Sequence, residues 1–172
     1  MSLITDQRQT VFAVLYERHY GAVHAYAARR VGLDAADEVA AETFLVAWRR
    51  FDAMPQLTAL PWLYGVARNI VLRHLDRTRR DTLARHAVEH ERPPRLGLED
   101  ADDVAVWDAW ARLRPSDREV LALIAWEDLT VAEAASVLRC SAPQFSVRLF
   151  RARRRLERLL TDDGVPLTCS EV

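Results

Sequence analysis

The chain has 172 residues, half of them apolar and 28% charged, with five glycines and two cysteines. That composition excludes a disordered chain, a collagen-like repeat and a disulfide scaffold, and it allows one medium domain or two small ones. The formal net charge is −1, which argues against nucleic acid as a partner until the charge is divided by segment; all 24 basic residues are arginine and none is lysine.

Arginine suits bidentate contacts to phosphates and bases. A coding bias explains the missing lysine more simply, so the placement of the arginines has to decide. Cys140 and Cys169 lie far apart, which gives neither a disulfide framework nor a metal spacing and fits a reducing cytosol. No apolar run reaches the roughly 20 residues of a membrane span. Residues 1–8 lack the basic start and apolar core of a signal peptide. A cytoplasmic protein without membrane insertion is expected.

Few glycines, few β-branched runs and no strand alternation predict an all-α fold. A first helical block covers residues 10–80. Within it a helix over 35–51 buries Ala40, Phe44, Ala47, Trp48 and Phe51, with Asp34 and Asp37 at its cap and first turn. Its outer face carries Val39, Glu42, Val46 and Arg49, with Glu38 and Leu45 beside them. An exposed face mixing valines with acids predicts a protein-contact surface. The next helix starts near Pro61 and runs to Arg80, with Leu63, Ala67, Ile70, Val71 and His74 inward. Trp62, Asn69, Arg73 and Arg80 point outward, and Arg77 and Arg79 lie at the sides. An aromatic beside a basic stripe suits unstacked bases, through ring stacking and phosphate contacts.

Residues 81–103 have linker composition, with Pro93, Pro94 and Gly97 and then Glu99, Asp100, Asp102 and Asp103. His86-Ala87-Val88-Glu89-His90 matches a short zinc-peptidase pattern but has no evident third ligand. Neither a glycine-rich phosphate loop nor a G-x-S-x-G elbow is present, so no enzyme, metal or cofactor is expected.

A second block covers 104–160. Three capping-box patterns, at Ser116-Asp117-Arg118-Glu119, Thr130-Val131-Ala132-Glu133 and Ser141-Ala142-Pro143-Gln144, predict helices over 117–127, 131–138 and 142–160. A short helix, a tight turn and a longer helix make a helix-turn-helix. The last helix sets Phe145, Leu149, Ala152, Leu156 and Leu160 on a core stripe and Val147, Arg151, Arg154 and Arg158 opposite, with Arg148 and Arg155 on the flank. Residues 139–158 hold seven arginines against the single acid Glu157. One-signed charge on a helix-turn-helix predicts nucleic-acid binding. The expected architecture is two small helical domains, 1–80 and 104–160, the second a four-helix helix-turn-helix domain. A linker over 81–103 joins them, and 161–172 form a tail.

The run Asp37-Glu38-Val39-Ala40-Ala41-Glu42-Thr43-Phe44-Leu45-Val46-Ala47-Trp48-Arg49-Arg50 resembles region 2.2 of the extracytoplasmic-function sigma factors, small members of the sigma-70 family of bacterial RNA polymerase subunits. Trp62-Leu63-Tyr64-Gly65-Val66-Ala67-Arg68-Asn69 resembles regions 2.3 and 2.4, and Leu113 to Leu121 opens a region 4 that residues 129–138 and 141–153 complete. The resemblance implies a promoter-specificity subunit with core RNA polymerase, promoter DNA and an anti-sigma factor as partners. It places Glu38, Val39, Glu42, Leu45, Val46 and Arg49 against polymerase. It places Trp62, Asn69, Arg73, Arg77 and Arg80 on the melted minus-ten strand, with a base flipped into the loop at 52–60. The helix from Ala142 would read minus-thirty-five duplex in the major groove, with Gln144, Ser146, Val147 and Arg148 near base edges and Ser141, Arg151 and Arg154 near phosphates. The linker would run towards the RNA path, its acidic run mimicking nucleic acid.

The chain departs from the family's pattern at Arg139, where glycine is usual, and at Pro143, Ser146 and Phe150, where glycine, a basic residue and histidine are frequent. Two other readings remain at this level. One is a stand-alone helix-turn-helix regulator with an N-terminal sensor or dimerisation domain. The other is a zinc hydrolase built on His86 and His90.

Overall fold

A computed structural model describes residues 2–85 and 101–162. The elements are all helical: α1 (Ser2–Val31), α2 (Leu33–Arg49), two 3-10 turns (Phe51–Ala53 and Gln56–Thr58), α3 (Ala59–Arg85), α4 (Ala101–Arg112), α5 (Pro115–Ala125), α6 (Val131–Val137) and α7 (Ala142–Asp162). The chain divides into two compact units, Met1–Pro94 and Arg95–Val172. His86, His90 and Cys169 lie outside the described residues, as do Pro93, Pro94, Gly97, Glu99 and Asp100 of the predicted linker. Asp102 and Asp103 belong to the first turn of α4, and α3 runs on past Arg80.

The first unit is a three-helix packing in which α2 meets both α1 and α3. Gly32, at φ 82°, makes the corner between α1 and α2 in a backbone region open to glycine at little cost. The core joins Val23, Tyr26 and Ala27 of α1 to Ala36, Ala40, Phe44 and Ala47 of α2 and Leu63, Tyr64 and Ala67 of α3. Aromatics reinforce the α1–α2 seam. The Phe44 ring lies 6.4, 4.7 and 6.2 Å from Phe12, Tyr16 and Tyr20, and the Tyr20 hydroxyl donates to Asp37 at 2.8 Å. That acceptor raises the Tyr20 pKa.

In the second unit α7 carries the central stripe. Phe145, Leu149, Ala152 and Leu160 are buried against Ala109 of α4, Val120 and Leu123 of α5, and Ala134 and Val137 of α6. Trp126 stacks on Trp107 at 6.0 Å and meets Trp110 at 4.6 Å. Large rings are what a unit this small needs to bury enough apolar area.

Two of the three capping boxes form. Thr130 Oγ1 accepts from the Glu133 N–H at 3.3 Å while Glu133 accepts from the Thr130 N–H at 2.9 Å. The Thr130 hydroxyl and N–H hold the Glu133 carboxyl below the ordinary carboxylate pKa. Ser141 and Gln144 exchange the same pair of bonds at 3.4 and 3.2 Å. The box at Ser116 does not form. Pro115 presets the first helical φ, so α5 opens earlier, with Arg114 at its cap and Ser116 and Asp117 already inside the first turn. Asp117 is instead buried, and its Oδ2 accepts from Arg155 of α7 at 2.5 Å.

Between α6 and α7 the backbone makes a Schellman turn. The Cys140 N–H donates to Ala135 O at 3.0 Å, the Arg139 N–H donates to Ser136 O at 3.1 Å, and Arg139 sits at φ 52°. A side chain in the left-handed region costs roughly 1 kcal/mol relative to glycine. Arg139→Gly is therefore expected to stabilise the protein by about 1 kcal/mol, read as a raised urea midpoint with an unchanged slope.

Candidate nucleic-acid and partner-protein interfaces

The outward strip of α2 follows i, i+4, i+7 and i+11 spacing. Glu38, Leu45 and Arg49 are exposed and Glu42 and Val46 half-buried, so acids and an apolar side chain share one narrow face. Val39 does not belong to it. It is 1% exposed and lies with Thr43 in the core, where the Thr43 hydroxyl donates to Val39 O at 2.7 Å. The reason is tertiary. Because α2 packs against two helices, its buried arc is wider than a single stripe and takes in the position next to Glu38 and Glu42. The helix also stops at Arg49, and Phe51 begins a 3-10 turn.

On α3, Asn69, Arg73, Arg77 and Arg80 are exposed and Trp62 is half-buried at the helix start. Trp62, Asn69, Arg73 and Arg80 fall on one line down the helix, as the pattern predicts, while Leu63, Ala67, Ile70 and Val71 are buried behind it. This stripe and the α2 strip meet at one pair: Arg73 Nη2 lies 2.5 Å from Glu42 Oε1, with both side chains substantially exposed. Exposed pairs of this kind contribute about 0–1 kcal/mol, so either partner is open to recruitment at small cost.

The connection from α2 to α3 is held from below. Met54 and Ala59 are buried while Leu57 is fully exposed at its outer turn. Arg8 of α1 clamps its first residues. Its guanidinium donates to Trp48 O at 2.7 Å, lies 3.4 Å from Asp52, and covers the Trp48 and Phe51 rings at 4.9 and 5.6 Å. A cation on the last carbonyls of α2 also opposes the helix dipole. Nothing local in the sequence marks Arg8 for this position, since its partners lie some forty residues away. The loop at 52–60 is thus mostly two short turns, and its last two residues are already helix.

On α7, Val147, Arg148, Arg151, Arg154 and Arg158 are exposed, as are Gln144 and Ser146 near the N-terminus. Three predicted contacts are partly committed inside the protein. The Ser141 hydroxyl and the Gln144 carbonyl close the capping box, which leaves the Gln144 amide N–H bonds to point outward. The Ser146 hydroxyl donates to Ala142 O at 3.0 Å, which leaves its oxygen as an acceptor. Arg155, on the flank of the face, is half-buried and bound to Asp117.

Comparison with known proteins matches each unit separately. The Sigma-70 region 2 model matches residues 15–81 and the Sigma-70, region 4 model matches residues 103–156. The chain is 34% identical over 163 residues to the ECF RNA polymerase sigma factor BldN of Streptomyces coelicolor, a match covering 89% of this chain and 61% of BldN. It is 31% identical over 173 residues to the RNA polymerase sigma factor CnrH of Cupriavidus metallidurans, covering 91% and 90%. The structure of CnrH in complex with the cytosolic domain of CnrY aligns at a TM-score of 0.61, with 30% identity and 91% of each chain covered. The sigma factor RpoE from Bartonella quintana, crystallised with the anti-sigma factor NepR, aligns at 0.68 with 24% identity, over 88% of this chain and 98% of that one.

The burial difference along α2 separates fold from surface. Val39→Asp places a carboxylate in the core, at a cost of several kcal/mol that rivals the whole stability of a small unit. Leu45→Asp is expected to stay within about 0.5 kcal/mol of the parent. Thermal melts by circular dichroism should show loss of the folded baseline for the first and an unshifted midpoint for the second.

Proposed function

Because the chain belongs to the extracytoplasmic-function sigma factors of the sigma-70 family, we propose that it docks on core RNA polymerase through α2 and carries two promoter-binding faces on α3 and α7. One observation supports this above the others. Region 2 and region 4 occur in that order in one chain, and each contains its own basic face. A stand-alone regulator with a sensory N-terminal half has no use for the first of these faces.

The division of labour follows from the chemistry of each face. The Glu38, Glu42, Leu45 and Arg49 strip, edged by Val46, offers a polymerase coiled coil an apolar centre within a charged rim. On α3, Arg73, Arg77 and Arg80 neutralise the phosphates of a melted strand, Asn69 offers hydrogen bonds to base edges, and the half-buried Trp62 presents a ring for stacking. The turn region beneath Leu57 receives a flipped base. The helix-turn-helix sets α7 into the major groove of upstream duplex, where Gln144, Ser146 and Arg148 meet base edges and Arg151 and Arg154 meet phosphates. Melting is then driven by capture of single strand, with no catalytic group of the chain's own. An anti-sigma protein is a further partner; the relative CnrH forms a complex of its own, with the cytosolic domain of CnrY. Such work is done in the cytoplasm, and no helix among the described residues is long and apolar enough to cross a membrane.

Run-off transcription with core polymerase on genomic fragments tests the whole reading. Discrete transcripts should require both the chain and the polymerase, and strong promoter binding by the chain alone would favour a stand-alone regulator.

Two substitutions dissect the faces. Arg151→Ala with Arg154→Ala should weaken promoter binding by the holoenzyme and lower the slope of log affinity against log salt by about 1.8, the loss of two phosphate contacts. Glu42→Arg with Val46→Asp should weaken polymerase pull-down while leaving the helical circular-dichroism signal in place; unchanged pull-down would remove α2 from the polymerase interface.

A further inference from the structure

We propose that Arg8 is a positioning residue for strand capture: it fixes in advance the turns after α2 that receive the flipped base. This rests on the reading that these turns take a base from the melted strand. The segment has little of its own to place it. Its two 3-10 turns are three residues each, and neither has a side-chain hydrogen bond at its cap. The backbone bonds within it are local. The Ala53 N–H donates to Arg50 O at 3.0 Å, the Met54 N–H to Phe51 O at 3.3 Å and the Thr58 N–H to Pro55 O at 3.3 Å. Such bonds shape a turn but do not set where it sits on the bundle. Met54 and Ala59 are buried and seat the segment from behind. Its near end is placed from α1.

Arg8 reaches that end at four points: Trp48 O, the Asp52 carboxylate and the rings of Trp48 and Phe51. Phe12, one turn further along α1, meets the same two rings edge-on at 5.0 and 6.0 Å. One planar fork thereby ties α1 to the last turn of α2 and to the first 3-10 turn. The contacts are unequal. The Asp52 side chain is 83% exposed, so that ion pair is weak. The bond to Trp48 O is short and charge-assisted, and only a guanidinium can make it while lying flat on both rings. A base that enters a segment already in place binds at full strength. A segment that must first settle weakens capture in proportion to the fraction of time it is out of place. The outward strip of α2 from Glu38 to Arg49 uses none of these contacts, so polymerase docking and base capture separate.

The test uses holoenzyme assembled from the full chain and a promoter fragment that it transcribes, opened beforehand as a mismatched bubble over the minus-ten element. Each base of the bubble, on either strand, is removed in turn to leave an abasic sugar. With the parent chain, one or two positions should lose binding, and these mark the captured base. Arg8→Met keeps an apolar stem against the rings and removes every donor. It should bind the intact bubble about three- to tenfold more weakly, the weight of one hydrogen bond. On the bubble abasic at the marked position it should bind as the parent does. Arg8→Lys, a charge without the fork, should fall between the two on the intact bubble. Polymerase pull-down should be unchanged in both variants. A merely structural role would lower binding equally on both bubbles, so equal loss would overturn the proposal. No loss on the intact bubble would overturn it too, as would loss of polymerase pull-down. If Arg8→Met melts below the assay temperature, the same comparison and the same outcomes pass to Arg8→Lys. A parent indifferent to every abasic position removes base capture itself, and the proposal with it. A parent that marks a position, beside a variant that loses equally on both bubbles, leaves base capture standing and removes Arg8 alone.

Discussion

α2 is held from two sides, and most of the first unit follows from that. A helix packed against one neighbour needs one apolar stripe and leaves the rest of its surface free. Packed against both α1 and α3, α2 buries Ala36, Ala40, Phe44 and Ala47 together with Val39 and Thr43. What remains outward includes a strip from Glu38 through Glu42 and Leu45 to Arg49. The same packing brings α3 alongside, so that the basic stripe begins where the acidic strip ends. Glu42 and Arg73 mark the boundary. Their pair is solvent-exposed and weak, so it orients the two side chains without tying them up.

Total charge says little about such a molecule. The arginines divide by what they touch. Arg8 is taken up in holding the end of α2 and the turn that follows, through a carbonyl, a carboxylate and two rings. Arg155 pairs with the buried Asp117 and ties α5 to α7; removing Arg155 would leave a mostly buried carboxylate without its cation, a larger loss than that of an exposed pair. The exposed arginines of α3 and α7 are a third class, gathered on one face of each helix. A net charge of −1 sums 24 arginines and 25 acids over the whole chain and hides these differences.

The parts of this division that are local were legible in the sequence. Periodicity alone separates the Phe145, Leu149, Ala152 stripe of α7 from its arginine face, because a helix repeats every 3.6 residues whatever surrounds it. The boxes at Thr130 and Ser141 were legible because both partners lie within one turn. The box at Ser116 misled for a local reason too, since proline at the first helical position outranks a serine one residue later. Val39, Arg8 and the Asp117–Arg155 pair were not legible, because each depends on a second helix whose approach no short window encodes. The role of Glu42 was half legible: its place on the outer face follows from spacing, but its contact with Arg73 needs α3 beside it.

The turn into α7 sets backbone strain against charge at one residue. α6 has seven residues, too few to persist alone, so its orientation depends on what closes its two ends. Thr130 and Glu133 close the first. The second is closed by the Schellman bonds of Arg139 and Cys140, which require a left-handed residue, and Asp128 supplies another left-handed residue just before α6. Aspartate tolerates that region better than most side chains, whereas arginine gains nothing from it locally. Arg139 therefore spends backbone stability at a point where the chain turns towards the N-terminus of α7. Its charge adds to the arginine face and stands beside the positive end of the α7 dipole, both of which favour an anion. A glycine there would give the same turn with less strain and one positive charge fewer beside the N-terminus of α7.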